Sequence, residues 1–197
     1  MNTKYLAECL GTFGLALLVT LAVAGNFVIP VPLLAGLTLA LFVYSIGHIS
    51  GCHINPAVTL GLLSIKMISK YEAARYILAQ FVGAILAIIV SGMLGVATPS
   101  VVGIILPVLI AEALGTAFFT FGIAAVAYGR IEKSISGLVV GGSLVLGVAL
   151  AALAGSAGVL NPAVALSLNL ITPSYILGPI LGSLLGFKLY SWLDQQK

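Results

Sequence analysis

Two Asn-Pro-Ala triplets, Asn55-Pro56-Ala57 and Asn161-Pro162-Ala163, carry the most specific chemistry in this chain. Asn is a favoured helix N-cap and Pro a favoured first helical residue, so each triplet reads as a helix start. A helix start exposes backbone N–H groups and roughly half a positive charge. Two such starts facing one point would repel cations, including hydronium. The Asn side chains would donate their amide hydrogens to the oxygen of a passing neutral molecule. A lone Asn-Pro-Ala would be adequately explained as a turn. Here both copies follow a short run, Gly51-Cys52-His53-Ile54 and Ser156-Ala157-Gly158-Val159, and both precede a short apolar stretch. Irregular backbone of this kind survives in a membrane only inside protein or along a wet cavity. These runs are therefore expected to line a path with free carbonyls.

The remaining reactive side chains are few. Glu8 and Glu112 are the acids that fall well inside apolar runs. A carboxylate at such a depth is costly and usually functional. It would either relay protons or, as the better reading, accept N–H groups from an irregular loop and hold that loop in shape. His48 and His53 are separated by Gly51, so one helix face does not present both to a metal, and no metal or cofactor site is expected. Cys9 and Cys52 cannot form a disulfide framework, and Cys9 reads as a small buried hydrophobe.

These residues must be positioned by elements that cross a bilayer. The chain has 197 residues, of which 61% are hydrophobic and 7% charged, against about 25% charged in soluble domains. A spanning helix needs about 20 apolar residues. Runs of that length fall near 5–25, 33–50, 72–94, 102–128, 135–154 and 174–193, and two shorter ones near 56–65 and 162–170. The expected fold is an all-α membrane protein with six transmembrane helices and two re-entrant half-helices. Lys4, followed by an apolar run and Ala22-Val23-Ala24, has the outline of a cleavable signal. Glu8 inside that run and its recurrence mid-chain argue against this.

Charge placement orients the spans. Lys4, Lys66, Lys70, Arg130, Lys133 and Lys197 all fall on one side of a six-span topology, while the connections near 26–32, 95–101 and 155–160 carry no charge. Positive residues mark the cytoplasmic side, so both termini are expected there. The cations are scattered rather than clustered, which excludes a nucleic-acid partner. The chain also repeats itself. Ala7-Glu8-Cys9-Leu10-Gly11-Thr12 matches Ala111-Glu112-Ala113-Leu114-Gly115-Thr116, and the Asn-Pro-Ala-Val segments follow in the same order. Three spans separate the repeats, so the halves, about 1–100 and 101–197, have opposite topology and the site lies at their interface.

The segment Gly47-His48-Ile49-Ser50-Gly51-Cys52-His53-Ile54-Asn55-Pro56-Ala57-Val58-Thr59-Leu60-Gly61 resembles the first signature of the aquaporin family, the major intrinsic proteins. Ala79-Gln80-Phe81-Val82-Gly83-Ala84 and Gly178-Pro179-Ile180-Leu181-Gly182 resemble its third and sixth helices. The resemblance implies a single channel domain that passes water and small neutral solutes such as glycerol, urea or ammonia. It further implies a homotetramer with one pore per subunit. Relatives usually continue the second signature with Arg, which narrows an outer filter; this chain has Val164. Carried over by spacing, the other filter positions are Ala35, Ala149 and Gly158, so the filter is expected to be wide and apolar. The remaining pore-lining residues implied are Gly51, Cys52, His53, Ser156 and Ala157, with Glu8 and Glu112 supporting the loops. A coupled transporter would need an ion site, and an enzyme a nucleophile, base or metal; neither is found near the signatures. Short loops and the lack of a targeting segment suggest a prokaryotic plasma membrane.

Overall fold

The computed structural model describes residues 3–25, 27–96 and 103–196; Lys197, expected on the side of the termini, lies outside them. The helices are α1 (Thr3–Ala24), α2 (Val31–Ser50), α3 (Pro56–Ser64), α4 (Lys70–Met93), α5 (Leu106–Ala127), α6 (Ser136–Leu153), α7 (Pro162–Ser167) and α8 (Pro173–Asp194). Among the described residues, six helical segments are long and apolar enough to cross a membrane. Several starts are set by proline, at the first turn of α2, α3, α5, α7 and α8. Proline loses nothing there, because a first-turn N–H has no partner within the helix.

Helices α1 and α4 pack together in the first half, as α5 and α8 do in the second. Glycines set how closely they approach. A Cβ on Gly83 would collide with the Cys9 backbone of α1, and one on Gly182 with the Ala113 backbone of α5. Such small-residue contacts suit helix packing in lipid, where no hydrophobic force drives association. The outward surface is covered by large apolar side chains, among them Leu10, Leu41, Leu78, Leu138 and Leu185.

The two short helices lock the halves together. Helix α3 packs on α8 as well as α4, α7 packs on α4 and α1, and α3 and α7 meet each other. Helix α7 stops at Ser167, before the end of its apolar stretch near 170. Asn169 takes a left-handed backbone (φ 57°), and Leu170 N–H closes the turn on the Ala165 carbonyl at 2.9 Å. Hydrophobicity outlasts the helix because Leu168 is buried and Leu170 partly so, although Asn169 between them is exposed.

Candidate pore

Each Asn side chain does two jobs. Asn55 Oδ1 accepts from Ala57 N at 2.8 Å and caps α3, while its Nδ2 donates to the Leu160 carbonyl at 2.9 Å. Asn161 Oδ1 accepts from Ala163 N at 3.0 Å and caps α7, while its Nδ2 donates to the Ile54 carbonyl at 3.0 Å. Each asparagine thus starts its own helix and binds the carbonyl just before the other. The two helix starts face each other with both amides fixed.

The preceding loops hang from the two glutamates. Glu8 accepts from the Ser50 hydroxyl (2.6 Å), His53 N (2.9 Å), Ile54 N (2.7 Å) and Gln80 Nε2 (2.8 Å). Glu112 accepts from the Ser156 hydroxyl, Val159 N (2.9 Å) and Leu160 N (2.7 Å). Both carboxylates are fully buried. Tyrosines brace the same loops. Tyr76 Oη donates to the Ser50 carbonyl at 2.8 Å, and Tyr175 Oη accepts from Ala157 N at 3.4 Å. These amides are therefore taken up by buried acceptors inside the protein. Among the described residues, no protein donor reaches the carbonyls of Gly51, Cys52, His53, Ala157, Gly158 or Val159.

Beside these loops run two cavities of about 260 Å³ each, which share Leu39, His53 and Phe119 as walls. One opens where α1 ends and α2 begins. Its walls include Val19, Ala35, Leu144, Val148, Ala157, Gly158, Val159 and Val164, and it reaches Asn55 and Asn161. The other opens toward the termini, past Gly51, Cys52, Val58, Met67, Ile123 and Val140. Adjoining at their shared walls, they mark a candidate path, with both asparagines in the wall of the first cavity.

Of the expected filter residues, Ala35, Gly158 and Val164 wall the first cavity together. Ala149 does not; its place is taken by Val148. One step along α6 turns a side chain by about 100°, so a one-residue error in spacing moves it off the wall. Ser156, expected to line the path, turns its hydroxyl onto Glu112 instead and lines neither cavity. Phe119 and Leu15, which also form walls, were not singled out from sequence. Both lie seven residues after a repeat glutamate, two turns along the same helix face, and that spacing was a usable signal.

A polar chain leads from Glu8 to the path. Gln80 Nε2 donates to both Glu8 and Thr59 Oγ1 (2.9 Å). Thr59 Oγ1 donates to the Asn55 carbonyl at 3.0 Å and lies 3.2 Å from His53 Nδ1. A hydroxyl has one proton. With that proton on the Asn55 carbonyl, neutral His53 donates from Nδ1 and keeps its Nε2 lone pair. Gln80 Oε1 is left buried without a partner among the described residues. Flipping the amide would set this oxygen against the Glu8 carboxylate, a worse arrangement.

Residues 1–190 match the family model for the major intrinsic proteins. The chain is 32% identical to aquaporin Z of Rhodopseudomonas palustris, covering 100% of this chain and 95% of that protein. It is 30% identical to aquaporin AqpM of Methanothermobacter thermautotrophicus, covering 100% and 99%. Its fold is similar to that of the aquaglyceroporin from Plasmodium falciparum, with a TM-score of 0.68 over 98% of this chain and 95% of that one, at 20% identity.

Proposed function

Because this chain belongs to the major intrinsic protein family and is thus a membrane channel for water or small solutes, not an enzyme, we propose that it conducts neutral solutes larger than water through a wide, apolar filter. The filter consists of Ala35, Val148, Gly158 and Val164. The observation that carries this reading is the cavity wall beside Asn161, where these four residues offer only small apolar groups. None of these four is an arginine or an aromatic, so at these positions width is set by small aliphatic groups. Asn55 and Asn161 orient solute oxygens, and the two opposed helix starts oppose cations. The four filter residues favour larger neutral solutes alongside water.

The halves, about 1–100 and 101–197, act as an inverted pair. The charges Lys4, Lys66, Lys70, Glu72, Arg75, Arg130, Lys133, Lys188 and Asp194 belong to the end that carries the termini, which supports a cytoplasmic location for that end. We assign the channel to a prokaryotic plasma membrane, as a homotetramer with one pore per subunit. The test is osmotic swelling of proteoliposomes. Glycerol and urea, as well as water, should enter faster than in protein-free vesicles. High water flux with both solutes excluded would end the wide-filter reading.

Cys52 gives a second check on the path. It walls the cavity nearer the termini and is 5% exposed, whereas Cys9 is in α1 and lines neither cavity. A small membrane-permeant mercurial should block flux, and thiol reductant should restore it. Cys52→Ala should resist block and Cys9→Ala should not. Burial slows the reaction, because the thiolate is the reactive form. Full block persisting in Cys52→Ala would remove Cys52 from the path.

A further inference from the structure

The end that carries the termini holds a second cleft, which shares no wall with either cavity of the path. It lies between the close of α3 and the last turns of α8 and measures about 370 Å³. Ser64, Lys66, Lys188, Ser191, Trp192 and Gln195 stand in its wall, and no acid does. The acid beside it on α8, Asp194, is held by Arg130, whose Nε and Nη2 each donate to it at 2.8 Å. Ser191 Oγ accepts from Tyr128 Oη at 2.7 Å, so its own proton remains to be given. Gln195 and Trp192 add N–H donors to the same wall. The carbonyl ends of α3 and α8 offset roughly half a charge each. Of the two ammonium charges, about one is left over.

Lys66 is not the residue its backbone asks for. It follows α3 in left-handed conformation (φ 63°). Lys66 N donates to the Leu63 carbonyl and Met67 N to the Leu62 carbonyl, both at 3.0 Å. This is the helix-ending turn that ordinarily takes Gly or Asn. The turn after α7 does take Asn, at Asn169 (φ 57°). A lysine is strained in this conformation, yet here one stands at the cleft.

The cleft continues into an apolar stripe on α8. Leu177, Leu181, Leu185, Lys188 and Trp192 recur at three- and four-residue steps, on one helix face. Leu177, Leu181, Leu185 and Trp192 are 48%, 52%, 56% and 57% exposed. The rise from Lys188 to Leu177 is roughly 16 Å, about half of a hydrocarbon core and so the depth of one leaflet. We infer that this cleft binds an anionic phospholipid, with its phosphate between Lys66 and Lys188 and an acyl chain along Leu185, Leu181 and Leu177. A soluble anion would use only the lysines. A zwitterionic headgroup would bring its own cation against them. The lipid ties the foot of α3, the half-helix that Asn55 begins, to α8, whichever solute the path conducts.

Trp192 is the single tryptophan of the chain, so its fluorescence reports from the cleft. The full-length protein is reconstituted in phosphatidylcholine vesicles with a small fraction of brominated phosphatidylglycerol or brominated phosphatidylcholine, whose bromines quench an indole on contact. Half-quenching should need roughly tenfold less of the glycerol lipid, and Lys188→Gln and Lys66→Gly should each reduce that preference about fivefold, the scale of one cation at an anionic headgroup. Lys66→Gly also relieves the left-handed backbone, so its thermal midpoint should hold or rise while the preference falls. A fall in both would make Lys66 a structural residue and remove it from the site. Lys70→Gln and Lys133→Gln take charge from the same end outside the cleft and should leave the preference intact. An equal fall in those variants would make it a property of the whole charged surface and overturn the site, as would equal quenching by the two lipids in the unaltered protein. Loss of the preference on adding soluble glycerol phosphate at constant ionic strength would assign the cleft to a soluble anion and overturn the lipid. If either lysine variant is not recovered folded, Lys66→Asn and Lys188→Met make the same comparison.

Discussion

Replacing Glu8 with leucine should prevent recovery of folded protein. The substitution leaves the Ser50 hydroxyl, two loop amides and the Gln80 amide without the acceptor they share. Each stranded donor costs about 1–3 kcal/mol when no water can reach it. Four together approach the whole net stability of a typical domain, about 5–15 kcal/mol. Glu8→Gln keeps one oxygen but turns an NH2 group toward other donors, so it should be intermediate. Glu112→Leu strands the Ser156 hydroxyl and the amides of Val159 and Leu160, and should be severe but less so than Glu8→Leu. The yield of monodisperse protein in detergent and its thermal midpoint give the ranking. Normal yield and midpoint for Glu8→Leu would show that the loop is held by something else.

A tryptophan at position 148 should cut water and glycerol permeability at least tenfold. Val148 walls a cavity of about 260 Å³, and an indole in that space leaves no clear passage. Tryptophan at Ala149, one residue on, should leave most of the flux per reconstituted molecule, because its side chain departs from the wall. Stopped-flow light scattering, normalised to the protein incorporated, separates the two. Block by Ala149→Trp with free passage in Val148→Trp would restore the spacing expected from sequence.

That one-residue difference shows where sequence stops being sufficient. The asparagine caps were legible because Asn followed by Pro has a direct local cause, and both caps form. The six spans were legible because length and hydropathy decide them. Placing α6 relative to Asn161 required counting back through the loop after Leu153. Gly155, Gly158 and Leu160 there have positive φ, at 90°, 67° and 54°. Such a loop has no constant rise per residue, so a count across it does not fix which side chain of α6 faces the path. Gln80 was visible as part of a recognised segment, yet its role depends on three-dimensional closure. It joins Glu8 to Thr59 across separations of 72 and 21 residues, which no local pattern encodes. Phe119 is different, because its spacing from Glu112 was readable, and the repeat offered Leu15 as its counterpart.

The crossed bonds of the two asparagines also set a schedule for synthesis. Asn55 finds its carbonyl 105 residues further along the chain, at Leu160, and the Ile54 carbonyl waits for Asn161, 107 residues away. At about 5–20 residues per second on the ribosome, that interval lasts roughly 5–20 s. Throughout it the first half sits in the membrane with a completed Glu8 anchor but an unanswered donor and acceptor at its centre. The nascent half therefore carries a marked vacancy that only the arriving second half fills. Two fragments divided between α4 and α5 should accordingly find each other when co-expressed, and neither should hold the tip of its short helix in place alone.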